Sequence, residues 1–291
     1  MIFRHAISLT INNTNLIAKV FIFTAIMMLI CVAIFMAISN PILEALDTEF
    51  DFFEHLKSSL NDYINGVPNA FELLSDQVSF FMNENVAKIA YTIVVYVLLF
   101  FLFKYCTVFA MAPATFVIYN QMASNYKSGY ANAMVAMLGK TALISLIHSF
   151  ITTPIDLIII VGCILLATWL AEGISIFGII IGLTLMLTLF ALRISATSGW
   201  LPTMVCENKK VGASIRKSFK NIKEQINKTY SAYLFIVFIT FAICTSTAIV
   251  TCGVIPMFFY PVAIITTAST SLIYYFTSHK QKFYIDERTI L

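Results

Sequence analysis

The sequence predicts an all-α membrane protein, a six-transmembrane-helix bundle, and three observations carry that prediction. Of the 291 residues, 59% are hydrophobic and only 11% charged, and the mean hydropathy is +0.87. A water-soluble domain cannot cover that much apolar surface. Six apolar runs each reach the roughly 20 residues that a helix needs to cross the hydrocarbon layer. Lys and Arg, finally, are distributed very unevenly between the connections.

The runs are residues 16–38, 90–114, 142–171, 174–194, 233–253 and 254–276. The first is too long for the core of a signal peptide and is read as a retained helix. All six cysteines (Cys31, Cys106, Cys163, Cys206, Cys244 and Cys252) lie in or beside these runs, without a CxxC pair or a histidine at ligand spacing. They read as small apolar fillers at helix contacts, so neither a metal site nor a cofactor is expected.

With both termini and the loops 115–140 and 195–230 assigned to the cytoplasm, 16 of the 18 Lys and Arg fall inside or at inner helix ends. Only Lys57 and Lys88 stay outside. That bias predicts a multi-pass protein of the cell (cytoplasmic) membrane, with cytoplasmic N- and C-termini. Residues 1–291 are expected to form a single polytopic domain. Its large external piece, residues 40–86, has nine acidic residues against Lys57 up to residue 86. Within it Leu43, Leu46, Phe50, Phe53, Leu56, Leu60 and Ile64 recur at helical spacing until Gly66-Val67-Pro68. Phe71, Leu74, Val78, Phe81 and Met82 then resume the pattern, which predicts an external acidic helical hairpin.

Seven of the 18 Lys and Arg crowd into residues 200–228. After Gly212, the residues Ile215, Phe219, Ile222, Ile226 and Tyr230 form a helical apolar stripe, while Arg216, Lys217, Lys220, Lys223 and Lys228 occupy the other faces. The expectation is one basic amphipathic helix lying on the inner surface. Each cation near an anionic leaflet contributes about 1 kcal/mol, so these five are the candidate lipid-headgroup contacts. The partner surface is thus the lipid bilayer with an anionic inner leaflet. Nucleic acid is not expected, since aromatics are not interleaved as stacking platforms. A protein partner or a second copy of the chain is the other candidate, through the basic linker or the acidic hairpin.

The stretch 112–140 echoes the basic linker in outline, pairing Pro113 with Pro202, Asn120 with Asn208 and Gly129 with Gly212. Helices two and three, and four and five, are therefore candidates for a tandem helix-pair repeat. Both copies would begin with an amphipathic helix on the inner surface.

An aromatic and proline ending an apolar helix, then a Val-x-Glu-Asn element, a glycine and an Ala-Ser-x-x-x-Ser-Phe helix, resembles an uncharacterised bacterial family. It includes YciC-type proteins and the membrane domain found ahead of glycerophosphodiester phosphodiesterase domains. The resemblance is carried by Pro202, Val205, Glu207, Gly212, Ala213, Ser218 and Phe219, with Phe219 standing where the family has tryptophan. It implies a bacterial integral membrane protein whose molecular role is largely unassigned, and it does not imply a phosphodiesterase.

A search for chemistry finds no GxSxG, HExxH, phosphate loop or paired metal carboxylates, so an enzyme is not expected. The Ser and Thr residues of the last two helices read as helix cross-links or as a polar lining. In "LIHSFITTPIDLIII" the residues His148, Thr152 and Asp156 fall at i, i+4 and i+8. They form a candidate ion or polar path at mid-depth if the helix is continuous. Alternatively Thr153 caps a helix that starts at Pro154, with Asp156 in its first turn near the interface, and this capping reading is favoured. Lys104 is expected to snorkel to the inner interface. The function expected is that of a non-catalytic accessory or transport-related membrane protein. A solute or ion transporter using Asp156, or a membrane anchor for a partner, stands as the alternative.

Overall fold

The computed structural model describes residues 2–48, 52–65, 75–76, 79–80, 83–174, 176–248, 250–251 and 253–285. The regular elements among them are α-helices: α1 (Ile2–Asn12), α2 (Thr14–Thr48), α3 (Phe52–Ile64), α4 (Val86–Ser124) and α5 (Tyr130–Ile174). They continue as α6 (Ile176–Thr197), α7 (Trp200–Cys206), α8 (Val211–Lys220), α9 (Ile222–Ala248) and α10 (Val254–Ser278). Six spans are long and apolar enough to cross a membrane, in α2, α4, α5, α6 continued by α7, α9 and α10. The chain is an all-α, multi-pass membrane protein.

The spans are longer than the apolar runs, because interfacial residues extend a helix without adding hydropathy. Pro113 and Pro154 both lie inside helices, in α4 and α5. A proline removes one backbone hydrogen bond and bends a helix, but neighbouring helices hold the flanking turns in place.

The chain divides into two compact units, Met28–Phe103 and the remainder. In the smaller one, the Ser39 hydroxyl lies 2.7 Å from the Tyr96 hydroxyl and the rings of Phe35 and Tyr96 stack at 5.2 Å. Of the first arm of the expected acidic hairpin, the part up to Thr48 continues α2 and the part from Phe52 to Ile64 is α3, while the Gly66-Val67-Pro68 break and most of the second arm lie outside the described residues.

The larger unit is built around α1, α4 and α10. Leu9, Ile118, Met122, Ile265, Leu272 and Ile273 are fully or almost fully buried in one apolar cluster. α1 turns Ala6, Leu9 and Thr10 inward, and the Thr10 hydroxyl donates to Ala6 O at 2.8 Å. After α10 the chain folds back, so that Tyr284 N–H donates to Met122 O at 2.9 Å. On the other side, α5 and α6 approach closely at Gly178 and Gly182. A Cβ at Gly178 would fall 2.5 Å from Ala171 N, and one at Gly182 would fall 2.5 Å from Ala167 Cβ. Side chains on both helices at these points would force them apart.

The linker 195–230 is not one amphipathic helix. It breaks at Asn221 between α8 and α9, and its buried face carries Ser214, Ser218, Gln225 and Thr229. Phe219, placed on the apolar stripe by the sequence, is 47% exposed. Hydrogen bonding explains the inversion: Gln225 Nε2 donates to Ser195 O at 2.6 Å and to Ser198 Oγ at 2.9 Å, and Ser218 Oγ donates to Gln225 Oε1 at 3.2 Å. Polar groups tied to the carbonyls at a helix end can be buried at little loss. The asparagines paired by the internal echo also differ. Asn120 lies within α4, whereas Asn208 is left-handed in the turn after α7, and the left-handed residue after α4 is Asn125.

Candidate functional site

Asp156 does not cap a helix. α5 runs unbroken through Thr153 and Pro154, and the buried Thr153 hydroxyl has no hydrogen-bond partner among the described residues. The capping reading fails because the turns on both sides of Pro154 remain helical. Asp156 instead points from α5 at two cations on neighbouring helices. Lys104 of α4 approaches Oδ2 with Nζ at 2.6 Å. Arg193 of α6 grips the carboxylate at both oxygens, Nε to Oδ1 at 2.8 Å and Nη2 to Oδ2 at 2.9 Å. The side chains of Lys104, Asp156 and Arg193 are 10%, 2% and 16% exposed. Lys104 therefore does not snorkel: in an apolar surround, a carboxylate within reach is the better partner for its ammonium group.

Each helix contributes one charge to this cluster, so the bonds fasten α4, α5 and α6 together. The forked guanidinium fits both carboxylate oxygens at once, which fixes orientation as well as distance. Sequence reading overlooked Arg193, because it stands near the end of an apolar run and counts as an inner-end charge. The usable signal was an inventory: one carboxylate and two cations within three apolar runs that are neighbours along the chain.

His148 and Thr152 share a face of α5 with Asp156 but do not join its hydrogen-bonded cluster. Two helical turns, about 12 Å of rise, separate His148 from Asp156. The Thr152 hydroxyl donates back to His148 O at 2.8 Å and lies 3.5 Å from the imidazole Nδ1. The His148 ring meets Trp200 edge-on at a centroid distance of 5.5 Å. The serine and threonine hydroxyls of α9 and α10 mostly bond carbonyls of their own helix, as Thr247 does to Ile243 O at 2.6 Å and Thr270 to Thr266 O at 2.8 Å.

The residues that carry the family resemblance gather around α7 and α8. Pro202 is buried in the first turn of α7, where its missing N–H leaves no helical carbonyl without a donor. Trp200 and Phe219 rings lie 5.5 Å apart, and Ser218 bonds Gln225 as described. A Cβ at Gly212 would meet nothing within 4 Å.

Glu207 is the hub of this region. Lys217 reaches Oε1 at 2.6 Å, Lys209 reaches Oε2 at 2.6 Å, and the Tyr275 hydroxyl donates to Oε1 at 2.8 Å. Partial burial pushes its carboxyl up, but the bonds from Lys209, Lys217 and Tyr275 outweigh burial and hold it down at about 2. Of the five candidate headgroup cations, Lys217 is thus taken by Glu207, and Lys228 pairs with Glu224 at 2.6 Å. Arg216, Lys220 and Lys223 are exposed and make no ion pair among the described residues.

A multi-pass helical membrane protein with a three-helix charge cluster is the class that fold and site define. No protein-family model, curated protein or solved structure matches the chain.

Proposed function

We propose that the chain is a non-catalytic, transport-related protein of the cell membrane that acts at the lipid bilayer through α4, α5 and α6. The observation that carries this reading is the buried cluster of Lys104, Asp156 and Arg193. Ionised side chains in apolar spans are expensive, and a passive anchor has no use for three of them on three helices. Both termini and the basic connections face the cytoplasm in this reading, with Arg216, Lys220 and Lys223 on the anionic inner leaflet. An impermeant thiol reagent applied to intact cells should label a cysteine introduced at Ser75 and spare Cys206; labelling of Cys206 would reverse the orientation. The resemblance to YciC-type proteins supports the same class through Pro202, Glu207, Gly212, Ser218 and Phe219.

The deciding experiment is ion and proton flux in liposomes containing the purified protein. Flux in the parent that disappears in Lys104→Met is the expected result. Silent liposomes with correctly folded parent would favour the second reading, an anchor for a protein partner. That reading draws on the exposed cations of α8 beside the half-exposed Phe219.

A further inference from the structure

A cavity of about 110 Å³ lies between α7, α8, α9 and the end of α10. One water needs about 10–15 Å³ of such space, so there is room for one molecule of several heavy atoms. The floor is buried at Thr203, Gln225 and Ser271, and the rim is exposed at Asn221, Glu224 and His279. A ligand thus enters from the side of the protein where α10 ends.

Hydrogen bonding on the wall narrows the chemistry. Lys217 and Glu224 each hold an ion pair already, Lys217 with Glu207 and Glu224 with Lys228, both at 2.6 Å. Neutral groups are what remain for a ligand. The Thr203 hydroxyl and the Asn221 amide have no hydrogen-bond partner among the described residues. Ser278 Oγ, at the same wall, is buried and likewise without one. His279 Nδ1 lies 2.9 Å from Tyr275 O, a contact that needs the ring proton on Nδ1 and leaves Nε2 of the neutral ring as an acceptor. Polar groups left unpaired beside a cavity are costly, and a molecule that pairs them is held there.

We propose that the cavity binds a small neutral polyol, with hydroxyls on neighbouring carbons, through Thr203, Asn221 and His279. The wall offers donors and acceptors together, and a hydroxyl both donates and accepts. An oxyanion only accepts and an ammonium group only donates, so neither matches the set. Such a polyol reaches the protein either free or as glycerol at the head of a lipid. The inference stands on this cavity and does not rest on the transport reading.

The test is thermal unfolding of the purified full chain in neutral detergent, in buffers free of glycerol until it is added. One arm titrates glycerol against trimethylene glycol, whose hydroxyls are not on neighbouring carbons. The other adds short-chain phosphatidylglycerol against short-chain phosphatidylethanol, which has the same charge and no headgroup hydroxyl. The parent should unfold about 2–4 °C higher with glycerol or phosphatidylglycerol than with the matching control. A site that pairs hydroxyls discriminates against the analogue that lacks them. Thr203→Val keeps the shape, loses the hydroxyl and should lose the difference. A difference with glycerol identifies a free polyol, and a difference with phosphatidylglycerol alone identifies a lipid headgroup. Equal midpoints for probe and control in both arms overturn the proposal, as does an undiminished difference in Thr203→Val. Should that variant fail to fold, His279→Phe on the exposed rim replaces it; it keeps a ring and loses Nε2, and an undiminished difference there refutes the site.

Discussion

Arg193 on α6 holds Asp156 on α5 by two parallel bonds of 2.8 and 2.9 Å, and that fork fixes how the two helices face each other. Gly178 and Gly182 let the same pair of helices close up elsewhere, so contact and charge set one arrangement together. Lys104 adds α4 to the pair through the oxygen that Arg193 Nη2 also uses.

Removing the carboxylate charge should therefore be severe. Asp156→Asn takes away the carboxylate that Lys104 and Arg193 both bond, and breaking a buried pair in this way costs about 3–5 kcal/mol. The triple change Lys104→Met, Asp156→Leu and Arg193→Met should come close to the parent, because it removes the three charges of the cluster together. Unfolding midpoints in detergent decide the matter. A mild Asp156→Asn, or a triple variant worse than it, would show that the cluster does not bear on stability as argued.

Two glycines near the α7–α8 region should respond in opposite directions. A Cβ at Gly199 would fall 2.4 Å from both Gln225 Oε1 and Ser218 Oγ. Gln225 cannot move away without losing its bond to Ser195 O, so Gly199→Ala should lose roughly 1–3 kcal/mol. Gly212 is exposed inside α8 with open space at its Cβ, and Gly212→Ala should gain about 0.4–1 kcal/mol through the unfolded chain. Equal effects at the two sites would contradict the packing described for Gly199.

Glu207 makes a pH prediction whose sign is fixed by its lowered carboxyl. A group held at about 2 against an ordinary value of 4.5 stabilises the fold fully above 4.5 and loses that contribution as pH falls toward 2. The parent should exceed Glu207→Gln in unfolding midpoint at neutral pH, and the gap should narrow below about pH 4.5. A gap that widens on acidification would mean that Lys209, Lys217 and Tyr275 do not act on this carboxylate.

Hydropathy made the six spans legible, since length and apolar content alone define them. The cluster was only half legible. Asp156 stood out as a lone carboxylate in an apolar run, yet Thr153-Pro154 beside it imitates a helix start so well that local pattern outweighed the distant partners. Lys104 and Arg193 are 52 and 37 residues away along the chain, and helix packing, which local periodicity does not encode, brings them in. The linker misled for a related reason. The spacing of Ile215, Phe219 and Ile222 set the face expected to be apolar, but the carbonyls of Ser195 and Ala196 at the end of α6 offer Gln225 a partner on another face.

The exposed cations of α8 and of the first turn of α9 give the last prediction. Arg216, Lys220 and Lys223 are free of ion pairs among the described residues, whereas Lys217 and Lys228 are engaged by Glu207 and Glu224. Attraction to anionic lipid should thus come from the first three, at about 1 kcal/mol for each cation that reaches the surface. Amide hydrogen exchange of residues 211–220 reads this directly, because contact with the leaflet suppresses local opening. In nanodiscs, the parent should exchange more slowly in phosphatidylglycerol than in phosphatidylcholine. Replacing Arg216, Lys220 and Lys223 by Gln should abolish that difference, while replacing Lys217 and Lys228 should leave most of it. High salt should act like the triple replacement, since screening at 1 M reaches within about 3 Å. Equal protection in both lipids for the parent would show that α8 is held by Glu207 and the Gln225 network alone, with no part played by the membrane surface.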